Sequence, residues 1–140
     1  MTIKEQQDTI IEEFSFFTDW TEKYEYIIQL GKDLPLIDEQ YKKEENLIKG
    51  CQSKVWLHAE HKDGKIFFTA DSDAVITKGL VSMVVRVLSG QSPAAIAEAE
   101  IYFVDAIGLK SHLSLTRSNG LLSMLKQMKM YGVALRARGI

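Results

Sequence analysis

Three features of the sequence predict an α+β fold: helical periodicity at both ends, a two-residue alternation in the middle, and an Asp-Gly pair that splits the alternation. Helices, then an antiparallel meander, then helices is the expected order. A doubly wound sheet would instead alternate the two element types along the chain. The three-stranded meander would be packed by the flanking helices in one domain spanning residues 1–140. No internal repeat, low-complexity tract or Gly/Ser linker interrupts it, and there are only two prolines.

Residues 3–17 place Ile3, Ile10, Ile11, Phe14 and Phe17 at helical spacing. Asp19, with Glu22 three residues on, forms a capping-box pattern that opens a second helix. Trp20, Tyr24, Ile27, Ile28 and Leu30 supply its apolar face, and Gly31 stops it before Pro35. A polar connector over residues 38–45 follows. Residues 54–62 then alternate, with Val55, Leu57 and Ala59 on one face and Trp56, His58 and Glu60 on the other. Asp63-Gly64 is the strongest short hairpin signal, and residues 65–70 return as the partner strand. Residues 46–48 predict a short edge strand, joined to the hairpin through the Gly50-Cys51-Gln52 turn. Asp71-Ser72-Asp73 reads as the cap of a helix carrying Ile76, Leu80, Met83, Val84, Val87 and Leu88, closed by Gly90. Ser92-Pro93 starts a short helix, and a last helix from Ser118 or Asn119 carries Leu121, Leu122, Leu125 and Met128.

Composition narrows the partners. Hydrophobic residues make up 46% and charged residues 26%, ordinary for a globular chain. With 17 Lys and Arg against 19 Asp and Glu, the net charge of −2 gives no long-range attraction for nucleic acid or anionic lipid. The late basic residues Lys126, Lys129, Arg136 and Arg138 fit the polar side or end of a helix. No stretch reaches the ~18 apolar residues of a membrane span, and residues 1–10 lack the apolar run of a signal peptide. The expectation is a cytoplasmic protein whose single cysteine stays reduced.

That cysteine, Cys51, is the one residue whose reactivity would define a function. It sits between Gly50 and Gln52-Ser53 at a strand-to-strand turn, where glycine leaves room for a partner's active site. A free thiol of ordinary pKa, about 8.5, is only about 3% thiolate at pH 7, so sulfur chemistry needs a local feature that raises the fraction. Lys49, Lys54 and the distant Arg117 are the cationic candidates. Residue types alone leave a buried structural cysteine open as the alternative. His58 and His61 are three apart on a strand, point to opposite faces and cannot chelate one ion, while His112 falls in a loop. A hydrolase built from Cys51, His58 and Asp71 or Asp73 has only spacing in its favour. The Asp71-Ser72-Asp73 triplet also resembles a divalent-cation site, but helix capping explains the same residues and no phosphate-binding loop accompanies it.

The segment E-N-L-I-K-G-C-Q-S-K-V-W over residues 45–56 closely resembles the SufE family of sulfur acceptors. The resemblance extends to W-T-E-K-Y at 20–24, I-I-Q-L-G-K at 27–32, Leu34-Pro35, D-S-D-A at 71–74 with Lys78-Gly79-Leu80, and L-T-R-S-N-G at 115–120. It implies a SufE/IscU-like fold and a definite chemistry. A SufS-like, pyridoxal-phosphate (PLP)-dependent cysteine desulfurase would hold sulfur as a persulfide, and the cysteine matching Cys51 would take it. The carrier would stimulate the desulfurase and deliver the sulfur to a SufBCD-type cluster scaffold. The PLP belongs to the partner, so this chain is expected to bind no cofactor and no metal, and one thiol cannot hold a cluster. The resemblance places Gly50, Gln52 and Ser53 around the nucleophile. Asp73 and Arg117 fall in the resembling blocks; on chemistry, Arg117 would stabilise the thiolate or persulfide and Asp73 would hold the loop or cap its helix, with capping or surface pairing the alternative for each. A paralogous carrier for another desulfurase, or a non-covalent regulatory module, are the neighbouring readings. A monomer or homodimer is expected.

Overall fold

The computed structural model describes every residue except Cys51, Gln52, Ser114 and Ile140, and omits the side chains of Lys110 and residues 115–118. The first helix, α1 (Ile3–Ser15), opens on a capping box: Glu5 N–H donates to Thr2 Oγ1 at 3.1 Å, and Thr2 N–H to Glu5 Oε1 at 3.0 Å. It ends two residues before the expected Phe17, whose ring instead packs against Phe14 and Tyr26 at 6.3 and 4.9 Å. Helix α2 (Trp20–Gly31) starts where expected, with Asp19 Oδ1 accepting from Glu22 N–H at 2.9 Å. Only half of that box closes, because the Glu22 carboxylate accepts from Thr18 Oγ1 instead. The polar connector folds into two 3₁₀ turns, Glu39–Tyr41 and Glu44–Asn46.

The hairpin matches the alternation. Strands β1 (Val55–Lys62) and β2 (Lys65–Ser72) pair antiparallel from Val55↔Ser72 to Lys62↔Lys65. Asp63 and Gly64 turn between them with φ of 53° and 75°, as a primed two-residue turn requires. Val55, Leu57, Ile66, Phe68 and Ala70 face the core.

The third strand is not formed. Among the described residues the sheet has two strands, and the 46–48 run contributes one isolated bridge, Leu47↔Trp56. The cause is local. Asn46 is consumed by the preceding 3₁₀ turn, where Leu47 N–H donates to the Glu44 carbonyl, and Gly50 turns away at φ 87°. Only Leu47 and Ile48 remain extended. A two-stranded hairpin is marginal by itself, and single bridges Leu36↔Ala70 and Ile66↔Gln91 cover its remaining edge.

Helix α3 (Val75–Leu88) is the buried centre, with Leu80, Val81, Met83, Val84, Val85, Val87 and Leu88 all in the core. Its expected cap is not there. β2 extends through Ser72, the cap position is Ala74, and no side chain bonds the first turn. After α3 come α4 (Pro93–Glu98), capped by Ser92, and the short α5 (Phe103–Ala106) and α6 (Leu109–His112). His112 therefore ends a helical turn and does not lie in an open loop. Helix α7 (Leu115–Ala137) begins three residues before the expected Ser118 and buries Leu121, Met124, Leu125 and Met128, while Leu122 points out.

Three close approaches set the packing. A Cβ on Gly79 would stand 2.0 Å from the Ile27 carbonyl oxygen, so α2 and α3 touch backbone to backbone. A Cβ on Gly132 would meet the Pro93 oxygen at 2.8 Å, which seats α7 on α4. Buried Gln7 ties α1 to the 100–103 turn, donating to the Glu100 carbonyl at 3.0 Å and accepting from Tyr102 and Phe103 N–H at 2.8 and 3.2 Å. Between α1 and α3, Arg86 grips Glu13 through both guanidinium nitrogens at 3.1 and 2.6 Å, and the Tyr26 hydroxyl donates to the same carboxylate.

Gly79→Ala should cost about 3 kcal/mol, the upper range for overpacking, because a backbone carbonyl cannot move aside. Gly64→Ala, strained at φ 75° but in open space, should cost only about 1 kcal/mol. Urea titration of both variants checks the order, and equal losses would contradict the backbone contact.

The Arg86 hydrogen bond outweighs partial burial and holds the Glu13 carboxyl below its ordinary 4.5. Its contribution is therefore complete above about 4.5 and disappears as pH falls through the lower folded value. Glu13→Gln should flatten the acid limb of stability against pH in that window, as followed by chemical denaturation from neutral pH downward.

Candidate functional site

The only cysteine lies in the six-residue connection between Ile48 and Val55. Cys51 and Gln52 are outside the described residues, but the frame that holds their loop is clear. Its base is closed where Ile48 N–H donates to the Val55 carbonyl at 2.8 Å, and both residues are buried. On the incoming side, Ser123 Oγ of α7 donates to the Lys49 carbonyl at 2.8 Å. On the outgoing side, Asp73 takes hold of Lys54 twice. Its Oδ1 accepts from Lys54 N–H at 3.0 Å, and its own N–H donates to the Lys54 carbonyl at 3.3 Å. Two fixed points, one on α7 and one in the turn before α3, bracket four residues.

Between them Gly50 is exposed at φ 87°, with no atom within 4 Å of where a Cβ would stand. Glycine is needed there for the backbone angle, not for lack of space. Ser53 sits half-buried in a bend. The ammonium groups of Lys49 and Lys54 are exposed and in no ion pair among the described residues, so both stay free beside the thiol's loop.

Asp73 thus holds the loop and does not cap α3. Asp71 is also engaged elsewhere. Its carboxylate takes Lys42 at 2.8 Å and Lys78 at 3.4 Å. Burial alone would raise its pKa, but the Lys42 hydrogen bond, the Ser72 N–H and Lys78 together hold it below the usual carboxylate range. Lys42 also lies 5.5 Å over the Trp56 ring, and Tyr41 stacks flat on His58 at 3.7 Å. The connector thereby covers the outer face of the hairpin beside the loop.

These engagements separate the residues of the hydrolase reading. His58 is stacked on Tyr41 and bonded to Glu60 at 3.3 Å, while Asp71 and Asp73 bond lysines and backbone instead of the imidazole. His61 is exposed at the far end of β1. His112 stacks on Trp20 at 3.7 Å, and its carbonyl accepts from the Tyr24 hydroxyl at 2.6 Å. Lys23 covers the same indole at 4.7 Å. This clasp fixes α6 against the start of α2, immediately before the first turn of α7 that carries Arg117. The Arg117 side chain lies outside the described residues.

Among the described residues no three His, Cys, Asp or Glu side chains gather to hold a metal ion. No helix among them is long and apolar enough to cross a membrane. The sequence reading missed Ser123, which has no signature beyond a place on the last helix. It also missed the Lys42–Asp71–Lys78 triad, whose members are up to 36 positions apart.

The chain is similar to known proteins over most of its length. The family model described as "SufE: Fe-S metabolism associated domain" matches residues 8–132. An uncharacterised SufE-like protein of Rhizobium meliloti is 40% identical over 127 residues, 87% of this chain and 91% of its own. A second, from Rhizobium etli, is 41% identical over 128 residues, covering 87% and 86%. A hypothetical protein of Thermus thermophilus, solved in solution, superposes with a TM-score of 0.76 over 92% of this chain and 94% of that one. At 19% identity it speaks for the α+β fold alone. On the family match and the two relatives, the chain belongs to the SufE family, whose domain is associated with iron–sulfur metabolism.

Proposed function

We propose that this protein is a sulfur carrier that works through Cys51. The observation that supports the reading best is the bracketed loop. The chain's one thiol is carried between Ser123 and Asp73 anchors, next to an exposed glycine and two free lysines. Such a loop can present a side chain to a partner without loosening the sheet behind it.

The chemistry needs one nucleophile. The Cys51 thiolate attacks the outer sulfur of a persulfide on a PLP-dependent, SufS-like cysteine desulfurase. A new S–S bond forms to Cys51, the old one breaks, and the donor cysteine leaves as a thiolate. No external oxidant or reductant is consumed. Removal of the sulfur frees the donor for another turnover, which is how the carrier stimulates it. A second attack by a thiolate on a SufBCD-type scaffold passes the sulfur on. PLP performs the carbon–sulfur cleavage on the partner. Lys49 and Lys54 raise the local positive potential, which favours thiolate and persulfide over thiol. Arg117, in the first turn of α7, is the further cation that the reading assigns to the site, with Gln52 and Ser53 beside the nucleophile. The reading places the protein in a reducing compartment, the cytoplasm.

Incubated with desulfurase and L-cysteine, the wild-type protein should gain the mass of one sulfur, removed by reductant. Cys51→Ser should gain none and should not stimulate sulfide release. Undiminished stimulation by the Ser variant would replace the carrier with a non-covalent regulator.

The Asp73 anchor makes a separate prediction. Asp73→Ala should lose roughly 1 kcal/mol of stability and accept sulfur several-fold more slowly, because the loop is no longer preorganised. Asp73→Asn keeps an acceptor oxygen and should retain most of the rate. Single-turnover transfer from a preloaded desulfurase measures both.

A further inference from the structure

A cleft of about 360 Å³ lies beside the start of the Cys51 loop, between residues 45–49 and the middle of α7. That volume is at the small end of the ~300–1,000 Å³ typical of ligand sites. The wall from the connector carries the Glu45 carboxylate and the Lys49 ammonium, both exposed and neither in an ion pair among the described residues. The α7 wall carries the Gln127 amide and the Tyr131 hydroxyl, and neither makes a hydrogen bond within the described chain. The Tyr131 ring is steadied edge-on against Phe68 at 6.2 Å. Leu47, Ile48 and buried Leu57 form the apolar floor.

An acid and a base on one rim, not neutralising each other, suit a ligand that brings both charges. An anion alone would face Glu45, and a cation alone would face Lys49. The polar heads of α7 can each donate to a carboxylate, and the floor takes a short apolar or thiol side chain. We propose that this cleft binds a free α-amino acid, its ammonium against Glu45 and its carboxylate against Lys49.

Lys49 is also the first residue of the Cys51 loop, and its carbonyl is already fixed by Ser123. An occupied cleft would hold the same residue by both backbone and side chain, and so restrain the loop. This coupling rests on the carrier reading, in which the sulfur itself comes from an amino acid. The loop would then respond to the supply of the compound that feeds it.

Binding is tested on the Cys51→Ser protein, which cannot carry sulfur or form mixed disulfides. L-Cysteine titrated under reducing conditions should shift the amide resonances of Leu47, Lys49, Ser123 and Gln127 saturably. Cysteamine, lacking the carboxylate, and 3-mercaptopropionate, lacking the ammonium, should each bind about fivefold more weakly, the scale of one screened ion pair. Glu45→Gln should abolish the advantage of L-cysteine over 3-mercaptopropionate, and Lys49→Gln its advantage over cysteamine. No saturable shift, or equal binding by both analogues and L-cysteine, overturns the site and leaves the carrier reading standing. Coupling is tested on wild type, where L-alanine should slow alkylation of Cys51 with the half-saturation its own titration of the Cys51→Ser protein gives by resonance shifts. An unchanged alkylation rate overturns the coupling.

Discussion

The contact on which this structure depends is the one between the backbones of α2 and α3 at Gly79. Helix α3 is apolar almost all round and has to be enclosed on every side. A side chain at position 79 would push α2 away, since its Cβ would stand only 2.0 Å from the Ile27 carbonyl oxygen. With glycine there, α2 closes over one face of α3, and the Ser82 hydroxyl donates to the Leu30 carbonyl at 2.7 Å across the seam. The hairpin, α1 and α7 then take the remaining faces.

A two-stranded sheet has two open edges and little stability of its own. Here neither edge is left open to its full length. Single bridges from residues 36, 47 and 91 satisfy backbone groups without extending the sheet. The bridge at Leu47 has a functional side. A full third strand would have continued the ladder into residues 49–50 and stiffened the connection to Cys51. One bridge, ended by a left-handed glycine, closes the base of the loop without extending the ladder into Lys49 and Gly50.

Much of this was legible in the sequence because it depends on short-range patterns. The hairpin register follows from the alternation and from Asp63-Gly64, and the Asp19 and Ser92 caps follow from residue type one turn from a helix start. The turn at Gly50 was legible for the same reason. What was not legible depends on partners distant in the chain. The Asp71-Ser72-Asp73 triplet has the composition of a cap, and nothing local reveals that Lys42, Lys78 and Lys54 will claim its carboxylates. Gln7 looks like a surface residue of α1 until the 100–103 turn arrives beside it. The edge strand failed because a 3₁₀ turn took its first residue, a competition that alternation does not register.

The diversion of Asp73 is an exchange between stability and placement. A side-chain cap at the start of a helix is typically worth about 1 kcal/mol, and α3 begins without one although Asp73 is adjacent to its cap position. The chain recovers part of that locally, through the Ser72 hydroxyl accepting from Ala74 N–H at 3.3 Å. It recovers more from burial, since a helix enclosed on all sides does not depend on its cap to stay folded. That surplus lets the carboxylate be used 19 positions upstream, on Lys54. The proposed transfer between two thiols needs the sulfurs brought nearly into line, and a loop anchored at both ends suits that better than one held at its strand end alone. Buried α3 thus supports the site indirectly: it is stable enough that the residue best placed to cap it can anchor the loop of Cys51 instead.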